Sequence, residues 1–164
     1  MPKSNLAITA PVRGALIECF RAATRLVRSD RRRQLVLVGG AASVAHSSVF
    51  STKDVDVAAT SRCIIDTWEA IQSGVPAFSI EPDGEIAFDA SQGFRVRLDI
   101  IEIGSGCVER IHVAEPFYEG SVASLSDLII LRAVTVVDRG SKGEVDDFRW
   151  LIKKAAEAAE FCPP

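Results

Sequence analysis

Leu35-Val-Leu-Val-Gly39-Gly40, followed after a short spacer by Lys53-Asp54-Val55-Asp56-Val57, is the stretch whose reading decides the fold. The apolar run reads as a short buried strand ended by a glycine turn, and the small residues from Ala41 to about Ser47 read as a helix. A second strand then carries two aspartates one residue apart. Side chains alternate across a strand, so Asp54 and Asp56 share one face while Val55 and Val57 enter the core. Two carboxylates side by side repel each other unless a cation lies between them. A divalent metal site is therefore the first functional expectation.

Around this stretch the chain reads as one α/β domain over residues 1–164, long enough for a sizeable core. Hydrophobic residues make up 48% and charged residues 25%, which argues against disorder. A net charge of -3 gives no global drive toward nucleic acid, although it leaves room for a local basic patch. Cys19, Cys63, Cys107 and Cys162 form no Cys-x-x-Cys pair, so a zinc site or disulfide framework is not expected. Reduced cysteines in a cytoplasmic protein are the expectation. Arg13 and Glu18 interrupt the one apolar stretch near the start, so no signal peptide is expected, and no segment reads as a membrane span.

Pro11 opens a helix expected over about 11–29, with an apolar stripe of Val12, Leu16, Cys19, Phe20 and Ala23. Arg21, Arg25 and Arg28, then Arg31-Arg32-Arg33, form a solvated face or, alternatively, a phosphate-steering patch. After the opening motif, Ser61 can cap a helix from Arg62 to Gln72 that buries Ile64, Ile65, Trp68 and Ile71. Strands at 77–80 and 85–88 flank Pro82-Asp83-Gly84 and predict a hairpin. The longest strand candidate runs from Phe94 to Ile103 and puts Arg95, Arg97, Asp99 and Ile101 on one face. Residues 108–113 read as one more short strand, which closes a core over about 34–113.

The last third reads as helical, over about 124–160. Ser124-Leu-Ser-Asp127 resembles a capping box, Gly140 ends the first helix, and Glu144, Asp146 and Asp147 begin the next at the positive end of its dipole. Phe148, Leu151, Ile152 and Ala155 would pack that last helix down. The whole order predicts a mixed sheet flanked by helices, with a helical C-terminal tail.

Asp54, Asp56 and Asp99, on two strands, can hold one or two Mg²⁺ or Mn²⁺ ions through hard oxygen ligands. Gly39 and Gly40 lack a Cβ, so backbone can approach a triphosphate closely, and Ser43 or Lys53 can add a hydrogen bond or charge there. Taken singly, a Gly-Gly is a turn, an Asp-x-Asp is a solvated strand edge, and Asp99 is a partner for Arg97. His46 reads as a packed or capping residue, and His112 carries no signal.

In this order, the strand with Gly39-Gly40, the spacer and Asp54-Val55-Asp56-Val57 resemble the signature of the nucleotidyltransferase superfamily that includes DNA polymerase β. Leu98-Asp99-Ile100 is similar to that family's third-carboxylate strand. Leu125 to Arg132, Asp138-Arg139-Gly140 and Glu144 to Asp147 are similar to the helical tail of small bacterial-type members, among them abortive-infection toxin-like proteins. The resemblance covers roughly residues 34–155. It implies Mg²⁺-dependent transfer of a nucleoside monophosphate from a nucleoside triphosphate to a hydroxyl, with release of pyrophosphate. Asp54 and Asp56 would ligate the metals, Asp99 would bind the catalytic one and help deprotonate the acceptor, and Gly39, Gly40 and Ser43 would hold the triphosphate. Arg132 stands where the family commonly has a lysine; it keeps the positive charge but presents a planar fork, and it is a candidate for a phosphate or base contact. The acceptor is a small molecule, a tRNA end or a protein hydroxyl. No membrane partner is implied, and a homodimer stays open. Arg95, Arg97, Arg132 and Arg139 are candidates for a basic cleft. The competing class is a catalytically silent relative that binds nucleotide or another protein.

Overall fold

Seven strands hydrogen-bond into one mixed sheet in this computed structural model, which describes residues 7–106 and 108–160. Cys107 and Cys162 lie outside the described residues, while Cys19 and Cys63 are buried and free. The elements in order are α1 (Ala10–Thr24), a 3₁₀ helix (Ser29–Gln34), β1 (Val36–Val38), α2 (Gly39–Ala45), β2 (Asp54–Ala59) and α3 (Ser61–Gln72). Next come β3 (Phe78–Ile80), β4 (Ile86–Asp89), β5 (Arg95–Glu102), β6 (Ala114–Phe117), β7 (Gly120–Ala123), α4 (Leu125–Asp138) and α5 (Lys142–Glu160). The sheet order is β3-β4-β5-β2-β1-β7-β6. β1 and β2 pair antiparallel, while β2 with β5 and β1 with β7 pair parallel. The short strand at the opening motif thus lies near the middle of the sheet, and β2 beside it carries the paired aspartates. Among the described residues no helix is long and apolar enough to cross a membrane.

α1 starts as its sequence demands. The Thr9 hydroxyl accepts the Val12 N–H, Pro11 occupies the first turn, and Leu16, Cys19, Phe20 and Ala23 are buried. It stops at Thr24, short of the expected end near Ser29. Leu26 N–H and Val27 N–H bond three residues back, to Ala23 O and Thr24 O, which tightens the last turn and diverts the chain. Arg31-Arg32-Arg33 consequently sit in the 3₁₀ helix leading into β1, at the end of the sheet remote from Gly39. Several of these arginines are ion-paired. Arg21 lies 2.7 Å from Glu119, and Arg31 lies 2.9 Å from Asp66.

The expectations for α3 and for residues 108–113 are also corrected. The buried face of α3 is Cys63, Thr67 and Ile71, with Ile64 and Trp68 partly buried, whereas Ile65 is 48% exposed. Helical spacing permitted either stripe, and the Thr67 hydroxyl reaches Cys63 O at 2.8 Å, which lets a polar residue take the inner side. Residues 108–113 form no strand beyond one bridge, between Val108 and Ile103. The strands are instead the β6–β7 hairpin that follows. β7 is buried along its whole length because Gly120 admits close neighbours: a Cβ there would come within 2.7 Å of Phe20 Cζ and 3.1 Å of Leu35 O.

The capping box at α4 is present in modified form. Ser124 Oγ accepts the Asp127 N–H, while the Asp127 carboxylate accepts the backbone N–H groups of His112 and Val113, at 2.9 and 2.8 Å. Asp127 thereby ties the helix start to the segment that crosses toward β6. In α5, Leu151 is buried but Ile152 is 46% exposed, so Ile152 does not pack the helix down as expected.

Candidate active site

Strand register builds the site. Val38 pairs with Asp56 across β1 and β2, and Asp56 pairs with Asp99 across β2 and β5. Val55 and Val57 are fully buried on the opposite face, so Asp54, Asp56 and Asp99 share one face as expected. Gly39 takes φ +68 at the turn from β1 into α2. A Cβ there would overlap Asp56 Oδ2 and lie 3.2 Å from Asp56 Cγ. Gly40 has a packing role, since its Cβ would meet the Thr52 side chain at 3.3 Å.

The carboxylates perturb one another. Burial, followed by repulsion from Asp99 and Asp54, pushes Asp56 up to about 7, and a hydrogen bond with Asp99 adds to this while Arg132 opposes it. Asp99 is raised as well, first by burial and then by its hydrogen bond with Glu85, against the pull of Arg97. Glu85 is a carboxylate that the sequence reading passed over. The antiparallel register Ile86–Leu98 carries it to Asp99's side, and the available signal was to pair the strand expected from residue 85 with the Asp99 strand. Arg97 bonds Glu85 through Nε at 3.1 Å and lies 3.5 Å from Asp99, so Asp99 is also the arginine partner that its strand face suggested.

Ser43 and Arg132 are brought to the same place by a residue read only as a helix-dipole acid. Asp147 is buried, and its Oδ2 accepts Ser43 Oγ at 3.1 Å and Arg132 Nε at 2.9 Å. Burial raises its carboxyl more than Arg132 and Ser43 lower it. Lys53 is exposed and is not among the residues lining the cavity described below. Its backbone carbonyl accepts the Arg97 N–H. Arg95 is engaged with Glu81 and Asp89, at 2.7 and 3.1 Å, so the four arginines do not form one basic cleft. His46 packs as expected, its Nε2 lying 2.8 Å from Ala123 O, and His112 bonds Asp127.

A cavity of about 570 Å³ joins these groups, lined by Gly39, Ser43, Asp54, Asp56, Asp99 and Arg132 and continuing along an apolar wall. That size suits a small organic ligand. Among the described residues no three His, Cys, Asp or Glu side chains form a ready-made metal cage. Mg²⁺ seldom needs one, because one or two carboxylates usually hold it together with substrate phosphates. An oxygen-only donor set, in which Asp56 and Asp99 are paired across neighbouring strands and repel each other, fits such an ion.

A family model described as a nucleotidyltransferase of unknown function (DUF6036) matches residues 14–140. No curated protein matches the chain.

Proposed function

The chain belongs to this nucleotidyltransferase family, and from that premise we propose that it transfers a nucleoside monophosphate from a nucleoside triphosphate to a hydroxyl acceptor in a Mg²⁺-dependent reaction. The observation that carries the reading is the meeting of Asp54, Asp56 and Asp99 on one wall of a cavity, with Gly39 pressed against Asp56. Asp54, Asp56 and Asp99 would hold the Mg²⁺, which when bound supplies charge neutralisation and polarisation of the α-phosphate. Gly39 makes room for the Asp56 carboxylate, and its backbone borders the cavity. Arg132 adds positive charge on the same side, with its Nε held by Asp147. The acceptor oxygen attacks the α-phosphorus, the bond from that phosphorus to the bridging oxygen breaks, and pyrophosphate leaves with the electron pair. The hydroxyl proton passes to the Asp99 carboxylate, which lies on the same cavity wall.

Incubation with labelled nucleoside triphosphates, Mg²⁺ or Mn²⁺, and a panel of hydroxyl compounds, tRNA and the protein itself tests the proposal. Label transfer is expected, and it is expected to disappear in Asp54→Asn and Asp56→Asn. Transfer that survives both changes would overturn the metal assignment. One observation favours a second reading, a silent nucleotide-binding relative: the Arg97 guanidinium already sits 3.5 Å from Asp99. In that case nucleotide binds to the wild type and no label moves to any acceptor.

A further inference from the structure

The cavity has two unlike halves on either side of the Asp56–Asp99 row. Gly39 follows Val38, the partner of Asp56, and so lies at one end of the row. Ile101 shares the face of Asp99 but lies one pleat further the other way, because it pairs with Ala58, beside Val36. On that far side the sheet lining is apolar, Ile101 and Val108, and Leu128, Leu131 and Val134 of α4 line the same cavity. Val134 is 48% exposed, so the cavity opens to solvent beside this apolar lining. In phosphoryl transfer the attacking and leaving oxygens stand roughly in line. With pyrophosphate leaving on the Gly39 side, the acceptor must approach from the opposite side.

Charge narrows the acceptor further. Asp54, Asp56 and Asp99 are joined in the lining by Glu85, Asp138 and Asp147, against Arg132 and Arg139 in the lining and Arg97 beside Glu85 and Asp99. A nucleoside triphosphate with its divalent ions is close to neutral as a unit, so the lining's excess of carboxylates remains to face the acceptor. A polyanion such as an RNA end is repelled there. The arginine-rich 3₁₀ helix, at the far end of the sheet, offers no compensation, since Arg31 is held by Asp66, Arg33 by the carbonyls of Tyr118 and Gly120, and none of its arginines lines the cavity. Resting on the transfer reading above, we propose that the apolar half of the cavity is the acceptor subsite. It takes a small hydroxyl compound with an apolar, neutral or cationic body, and it rejects nucleic acid.

A fluorescent naphthol, neutral at pH 7, serves as the probe. Its sulfonate derivative and a short RNA with a free 3′ hydroxyl serve as anionic counterparts, each titrated against the full chain. Labelled triphosphate with Mn²⁺ is titrated separately. The naphthol is expected to bind, the sulfonate about tenfold or more weakly, and the RNA not to displace the naphthol. Val134→Glu is expected to weaken the naphthol by about tenfold. Val137→Glu, one turn away on an 85% exposed position outside the cavity lining, leaves it unchanged. Equal binding of naphthol and sulfonate, displacement by RNA, or indifference to Val134→Glu would overturn the acceptor assignment while triphosphate binding stands. Failure of the wild type to bind triphosphate would overturn the transfer reading, and the acceptor role with it.

Discussion

Gly39→Ala separates two reasons for a glycine at the turn between β1 and α2. The first is backbone. Gly39 sits at φ +68, in the left-handed region where an L side chain costs roughly 1–2 kcal/mol. The second is space, because the new Cβ would overlap Asp56 Oδ2 and press on Asp56 Cγ at 3.2 Å. Overfilling a packed site of this kind adds about 1–3 kcal/mol. Gly140, just past α4, isolates the first term: it sits at φ +62, and a Cβ there would meet only Val136 O, at 3.4 Å. Gly140→Ala is therefore expected to destabilise by about 1–2 kcal/mol and Gly39→Ala by about 2–5 kcal/mol. Urea unfolding of the two variants measures the difference. In an Asp56→Ser background the extra cost of Gly39→Ala should vanish, because the obstructing oxygen has been shortened away. Asp56 can relieve the overlap only by leaving its place beside Asp99, so Mn²⁺ affinity, read by calorimetry, should fall in Gly39→Ala and hold in Gly140→Ala. Equal destabilisation by the two alanines, with Mn²⁺ affinity unchanged in both, would refute the idea that Gly39 is there for Asp56.

Three further outcomes are expected. Asp56 keeps its carboxyl proton to about 7 in the fold, against about 3.9 in an unfolded chain. The native state thus binds the extra proton in that window, and the metal-free protein loses stability as pH rises from about 4 to about 7. Urea unfolding across this range should show wild type falling relative to Asp56→Asn, and a constant difference would count against the raised proton affinity. At Asp127, burial raises the carboxyl, but the bonds from His112 and Val113 outweigh it and hold it below its ordinary value. Its stabilisation is therefore present at neutral pH and lost as pH falls into the acid range. Asp127→Ala, which orphans those two N–H groups, should cost about 2–4 kcal/mol in denaturant melts. Arg132→Met strands the buried Asp147 and should cost about 3–5 kcal/mol, most of it recovered in Arg132→Met/Asp147→Leu. A double variant as unstable as the single one would show that the ion pair matters for more than charge balance.

The sheet's centre was legible because period and punctuation agree there. Leu35 to Val38 is apolar without a break, Gly39 ends it, and the Asp54–Val57 alternation fixes which face meets the core. Asp99 was legible as a third carboxylate because β5 is long enough to declare its own period. The β6–β7 hairpin was not legible. Glu115 and Pro116 on an exposed edge strand carry no apolar alternation, and β7, buried on both faces around Gly120, has no polar side to alternate with. The boundary of α1 failed for a different reason. Leu26 and Val27 continue the apolar stripe past Thr24, so the pattern runs on after the backbone has changed its bonding.

Asp147 shows how a contact between distant residues can be written in a sequence and still be passed over. Glu144, Asp146 and Asp147 look alike as acids in the first turns of α5, and dipole reasoning treats them alike. The turn at Gly140 distinguishes them. Two antiparallel helices joined there bring level those residues that stand equally far from the joint. Arg132 lies eight positions before Gly140 and Asp147 seven after it, each about 11–12 Å along its helix at 1.5 Å per residue. The ion pair follows from that reflection, since Arg132 is the one charge in α4 between Leu128 and Val137. With Asp147 holding one side of its fork, Arg132 still lowers the proton affinity of Asp56. One guanidinium thus serves both the anchor that joins α4 to α5 and the carboxylate at the centre of the proposed active site. A lysine there would bring the charge but not the planar fork that lets one side chain answer both.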